Sequence, residues 1–176
     1  MKQSHKNRPS IRCFIIFSSI AFLLISVTLN VNCQELPPRP MTVTVHLSQN
    51  LIFGAFYQGS SGGSVIISAS GSRSSTGDVV LLNMGDSFSP VVYDVVANPG
   101  TLVTINNGAN VTLTGSNGGS MTLVIGSSDP VSPFIVPTTP PSATQLRIGG
   151  TLIVGNPLSN PPGIYSGTFN VTFIQQ

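Results

Sequence analysis

Between Met41 and Leu47 apolar and polar residues alternate without a break, placing Met41, Val43, Val45 and Leu47 on one side and Thr42, Thr44 and His46 on the other. Successive side chains of a strand point to opposite faces, so this period of two specifies a half-buried β-strand and excludes an amphipathic helix. Similar runs recur at Leu51 to Tyr57, Ser64 to Ala69, Asp78 to Leu82, Val91 to Ala97, Leu102 to Ile105, Val111 to Thr114, Met121 to Ile125, Leu146 to Val154 and Ile164 to Ile174. They are rich in Val, Ile, Thr and Phe, which fit a pleated surface. Turn-forming residues separate them: Gly62-Gly63, Ser75-Thr-Gly77, Asn83-Met-Gly85, Asn98-Pro-Gly100, Asn106-Asn-Gly108, Gly118-Gly119 and Asn156-Pro157. Many short strands at this spacing predict an all-β fold, an antiparallel immunoglobulin-like β-sandwich spanning residues 41–176 as one domain. No stretch shows helical periodicity, and beyond position 33 the chain has no Lys and one Glu, so strong helix formers are scarce. The similar segments Gly59 to Ser64 and Gly115 to Ser120 read as two hairpin turns. Ser127 to Thr144 carries five prolines, which lack the donor a ladder needs, and reads as a surface excursion. Within it Pro137-Thr-Thr-Pro140 has the form of a polyproline ligand but reads as a stiff loop.

The start of the chain differs in kind. Lys2, Lys6, Arg8 and Arg12 form a basic leader, and a largely apolar run follows from Cys13 to Val31. Leader, apolar run and the polar Gln34-Glu35 read as a secretory signal over residues 1–33, cleaved after Cys33; the competing reading is a retained membrane anchor. Residues 34–40 are then a short proline-rich lead, and the product is exported to the periplasm, cell surface or extracellular space. Cleavage removes four of seven basic residues and both cysteines, Cys13 and Cys33. What remains is Arg39, Arg73 and Arg147 against Glu35, Asp78, Asp86, Asp94 and Asp129: three positive against five negative, a net charge of −2. Such a chain has no basic surface for phosphates, so nucleic acid is not an expected partner. Its stability has to come from packing rather than disulfides.

A search for chemistry finds little. Gly59-Ser-Ser61-Gly-Gly63 matches the G-x-S-x-G pattern of serine hydrolases, but that pattern works on a strand-to-helix elbow, and here Val65-Ile66-Ile67 reads as a strand. Histidine follows serine in that enzyme order, whereas His46 precedes it. A P-loop needs a lysine that the segment after position 33 lacks. One histidine and no cysteine argue against zinc, and Asp78, Asp86, Asp94 and Asp129 lack the close spacing of a calcium loop. Asn110-Val-Thr112 and Asn170-Val-Thr172 are glycosylation sequons that matter only in a host that uses them. No catalytic, cofactor-binding or metal-binding residues are therefore assigned, and no cofactor and no enzymatic activity are expected.

Several stretches carry a resemblance: Leu51-Ile-Phe53-Gly54, Gly63-Ser-Val65, Gly71-Ser-Arg73, Gly77-Asp-Val79-Val80-Leu81, and Val111-Thr-Leu113-Thr-Gly115 before Met121. The densest runs are Ile148-Gly149-Gly150-Thr151-Leu152-Ile-Val154-Gly155 and Pro162-Gly163-Ile-Tyr165-Ser-Gly167-Thr168-Phe169-Asn-Val171-Thr172. Taken in order they resemble the exported bacterial domain-of-unknown-function 4402 family. That family is similar to pilin-like and spore-coat-protein-U-like β-sandwiches. The resemblance implies a surface or fimbria-like structural role and brings no catalytic residues with it.

The expected function is thus an exported, non-enzymatic surface or structural protein, a fimbria- or pilin-like subunit whose partners are other protein subunits. The alternative is a monomeric surface module that binds a glycan or protein. No membrane span is expected once the signal is removed. Two roles suit Met41 to Leu47: first strand of its own sandwich, the favoured reading, or a strand donated to a neighbour's sheet, which would drive self-assembly.

Overall fold

The computed structural model describes residues 40–45 and 50–176. The signal segment 1–33, most of the lead 34–40, His46 and Leu47 lie outside the described residues. Within them the chain is all-β and antiparallel, with no helix. The strands are β1 (Thr42–Val45), β2 (Phe56–Ile67), β3 (Arg73–Leu81), β4 (Val91–Val96), β5 (Leu102–Asn107), β6 (Val111–Gly115), β7 (Ser120–Asp129), β8 (Phe134–Ile135), β9 (Thr144–Val154), β10 (Tyr165–Ser166) and β11 (Val171–Gln175).

Eight strands form one curled sheet, in the path β1-β4-β9-β7-β6-β10, with β2 joined to β9 and β3 to β2. The other three form a second sheet, β11-β5-β8. Strand β9 organises both parts. Its first half, Thr144 to Ile148, pairs with β4; its second half, Gly150 to Val154, pairs with β2. The change of partner falls at Gly149-Gly150, where neighbouring chain comes close and Gly149 in particular has no room for a side chain. A Cβ on Gly149 would lie 2.2 Å from the Ile67 carbonyl oxygen, and one on Gly150 would lie 2.8 Å from the Leu51 side chain.

Two hydrophobic clusters result. The first lines the concave face of the curled sheet and contains Phe53, Val65, Ile67, Val79, Leu113, Met121, Leu123, Leu152 and Val154. The second lies between the sheets: Val91, Tyr93, Val95, Leu146 and Ile148 face Val103, Phe134 and Val136. Phe173 meets Tyr93 edge-on, ring centroids 5.1 Å apart. Burying an aliphatic side chain of this size contributes about 1.5–3 kcal/mol. With no disulfide available in the described part, these clusters carry the stability.

The expected alternation holds in most strands, and the departures have local causes. Gly59 to Ser64 is not a hairpin turn but a bulge inside β2, where the register on β3 shifts between Gln58 and Gly63. The glycines let the backbones close up: a Cβ on Gly63 would lie 2.0 Å from the Thr76 carbonyl oxygen, and Gly62 has φ +68°. Ser75-Thr-Gly77, read as a turn, is the part of β3 opposite this bulge. Gly115 to Ser120 is a hairpin turn as expected, joining β6 to β7. Leu51 to Tyr57 is not one strand, because Gly54 takes φ +68° and leaves only the isolated bridge Ile52–Ser89 before β2 begins. The proline-rich excursion is more than surface: it contributes β8 and buries Phe134 and Val136 against β5. Thr42 to Val45 pairs with β4 at the edge of the curled sheet, Met41 and Val43 pack on the second cluster, and the Met41 N–H donates to Gln175 Oε1 at 2.8 Å.

Candidate functional site

A cleft of ≈ 1020 Å³ opens over the first cluster. Its floor is apolar, formed by Leu113, Met121, Leu123 and Leu152 with Val91 and Tyr93. One wall is the segment Asn50 to Gln58, backed by Asp86 and Ser87; the other is Pro161 to Phe169. Each wall is irregular chain tied down by named bonds.

The first wall is tied to the loop after β3. Ile52 and Ser89 exchange backbone bonds of 2.9 Å in both directions, the Leu82 N–H donates to the Ala55 carbonyl at 2.9 Å, and the Ser89 hydroxyl donates to the Asn50 carbonyl at 2.8 Å. Behind it lies Arg73, whose guanidinium donates to the carbonyls of Ala55 and Leu82 and sits 5.4 Å from the centre of the Phe88 ring. Desolvation pulls the Arg73 pKa below arginine's ordinary value and the Asp86 carboxylate opposes the shift.

The second wall is tied down by Asn160, which is 2% exposed. Its amide nitrogen donates to the Ser120 and Ser159 carbonyls, its Oδ1 accepts from the Gly155 N–H, and its own carbonyl accepts from Gln58 Nε2 at 2.6 Å. That last bond links the two walls. A buried amide with its hydrogen bonds made fixes geometry, because leaving its partners orphaned costs about 1–3 kcal/mol each. The Tyr165 hydroxyl donates to the Pro161 carbonyl at 2.7 Å, and Asn117 Nδ2 donates to the Pro162 carbonyl at 2.6 Å.

Both walls present strand edges. At Phe56 to Gln58, β2 pairs only with β3, and β10 pairs only with β6, so each turns a side toward the cleft that no strand among the described residues covers. Ile52, Tyr57 and Ile164 stand exposed around the mouth. The lining contains one charged residue, Asp86. An apolar trough between two open edges suits an extended apolar segment, or a ligand that stacks on aromatic faces.

The residues weighed for catalysis do not gather here. Ser61 lies exposed on the β2 bulge, strand on either side, its N–H 3.3 Å from Asp78 Oδ2. Asp94 is on β4, and Asp129 is at the end of β7, opposite Arg147. Among the described residues no three His, Cys, Asp or Glu side chains converge. Both sequon asparagines, Asn110 and Asn170, are exposed. The cleft itself escaped the sequence reading. Asn160 sits in a Ser-Asn-Pro-Pro run that reads as loop, and Arg73 follows a turn on a strand whose neighbours are polar.

None of the curated proteins and none of the solved structures compared with the chain matches it. One family does match, over residues 43–174, which takes in all the strands from β2 to β10 and both walls of the cleft. The chain belongs to the family described as Domain of unknown function (DUF4402).

Proposed function

We propose that the chain is an exported, non-enzymatic surface or structural protein, a fimbria-like subunit that joins other protein subunits through strand pairing. The observation that carries this reading is the pair of open edges, at Phe56 to Gln58 and Tyr165-Ser166, on either side of one apolar-floored cleft. Strand addition draws affinity from main-chain bonds and register from alternate side chains seated in pockets. Met41 to Leu47 has the matching period of two, and β1 (Thr42–Val45), at the edge of the sheet, has one partner strand, β4, to leave. The basic leader and apolar run at positions 2–31 support export.

Purified protein starting at Gln34 tests the reading by light scattering and native electrophoresis over a concentration series. Concentration-dependent polymers, blocked by excess Met41 to Leu47 peptide and not by a scrambled one, are expected. A monomer at every concentration that ignores the peptide rejects strand-mediated assembly.

A second reading is favoured by the aromatic lining of the cleft, Phe53, Phe56, Tyr57, Tyr93, Tyr165 and Phe169. In it the protein is a monomeric module that binds a glycan or protein ligand. A persistent monomer whose Tyr57→Ala variant loses retention on a glycan array or on host-surface protein supports this one.

A further inference from the structure

We propose that Arg73 is the positioning residue of the cleft's first wall: its guanidinium, held between the Ala55 and Leu82 carbonyls and the Phe88 ring, sets how readily residues 51–56 open.

Four observations carry this. The wall's backbone has few bonds to hold it. Leu51 to Ala55 belongs to no strand; Phe53 is buried in the first cluster and Leu51 packs against both, but Arg73 aside the segment's hydrogen bonds to the rest of the chain are one isolated bridge, the Leu82–Ala55 bond and a serine hydroxyl. Arg73 joins the two segments at their narrowest point, because the Ala55 carbonyl accepts both from Leu82 N–H and from the guanidinium. The wall is shaped to receive it: Gly54 has φ +68°, and a Cβ there would stand 3.0 Å from Arg73 Nη1 and 3.3 Å from the Ser87 carbonyl oxygen. Finally, Arg73 Nε is buried without a hydrogen-bond partner. Only 7% of the sequence is charged, and a cation on a strand start beside solvent has an easy route to water. Retention of this cation under the wall, with one donor unmet, is compensated by two charge-assisted bonds and ring contact.

The arrangement is local. The guanidinium's bonds end on the Ala55 and Leu82 carbonyls, in the two segments that make and back the wall. The wall and the loop at 82–89 therefore open together when Arg73 lets go, while the sheet beneath stays closed. Local opening of this kind is read by amide exchange.

The test is hydrogen exchange followed by mass spectrometry on the protein starting at Gln34 and on its Arg73→Lys variant. Lysine keeps the charge but cannot span two carbonyls with a planar fork. Peptides covering 51–57 and 82–89 should exchange at least roughly ten-fold faster, the scale of one lost charge-assisted bond, while peptides from Met121 to Ile125 and Leu146 to Leu152 keep their rates. Unchanged rates at 51–57 overturn the proposal. So does an equal acceleration in every peptide, which would make Arg73 a general stability residue. Should Arg73→Lys fail to fold, Phe88→Ala carries the test. It leaves both carbonyl bonds in place and uncovers them to water. A smaller acceleration confined to the same two segments supports the latch, and no change or a uniform one overturns it.

Discussion

The two hydrophobic clusters are built from the same residue types and share strand β9, yet they end differently. The cluster between the sheets is closed. Val95, Val103, Val136, Leu146 and Ile148 are fully buried, with a sheet on each side. The cluster in the curl of the larger sheet is covered on one side by irregular chain, and Leu113, Met121, Leu123 and Leu152 form the floor of a cleft. Opposed sheets seal a core by pairing their faces. A curled sheet needs a cover, and here the cover is two loop walls held by Arg73 and Asn160. Both clusters bury nine side chains, but the exposed apolar residues Ile52, Tyr57 and Ile164 gather at the mouth of the cleft over the first.

The largest effect should come from the pivot that joins the halves. Gly149→Ala places a methyl 2.2 Å from a backbone oxygen of β2, which cannot move without breaking the sheet. A loss of more than about 4 kcal/mol, the diagnostic range for a core clash, is expected, and the protein should show no cooperative thermal transition. A melting curve like that of the parent would mean that β9 does not change partner from β4 to β2 at this glycine as described.

Next in size is a paired truncation that measures the difference between the clusters. Leu146→Ala, in the closed cluster, should cost near the upper part of the 2–5 kcal/mol range for such changes, and Leu123→Ala, on the cleft floor, near the lower part. The reason is that truncating Leu146 leaves an enclosed void, whereas truncating Leu123 enlarges a space already open. Denaturant melts of the two variants decide it. Equal losses would show that the cleft floor is packed as tightly as the closed core.

The smallest effect concerns Tyr93, which contributes to the closed cluster and to the cleft floor. Burial raises its pKa, since the phenolate is harder to desolvate than the phenol. The folded pKa is therefore above the unfolded value of about 10. The linked stability is fully present below that pH and is lost as pH rises through the folded pKa. Urea melts should show stability falling above about pH 10, with a shallower fall in Tyr93→Phe. An identical alkaline slope in both proteins would place the Tyr93 hydroxyl in water.

Much of the fold was legible in the sequence because strand alternation is a local property. The runs at Met41 to Val45 and Val111 to Thr114 show it within a few residues, and Val91 to Ala97, apolar but for Asp94, reads as a strand by its β-branched content; each is a strand. The family resemblance was legible for a related reason: its glycine-rich runs, Ile148 to Gly155 above all, mark places where backbones come too close for a Cβ. The errors fell where glycine plays two roles. A turn and a bulge share a composition, so Gly59 to Ser64 and Gly115 to Ser120 look alike, and only the strand opposite each of them decides between the two. The curled sheet has the same origin: no local signal says that β9 will pair with β4 along its first half and with β2 along its second.

By itself the sequence determined that this chain forms short antiparallel strands, that little but apolar packing stabilises them, and that it belongs with a family matched over residues 43–174. Those properties depend on neighbours one to four positions away. The tertiary structure alone decided that Asn50 to Gln58 and Pro161 to Phe169, more than a hundred positions apart, face each other across one apolar floor. It also decided that Arg73 and Asn160 hold them there. Such contacts are set by the curl of a whole sheet, which sums small twists over many strands, and no window of sequence contains that sum.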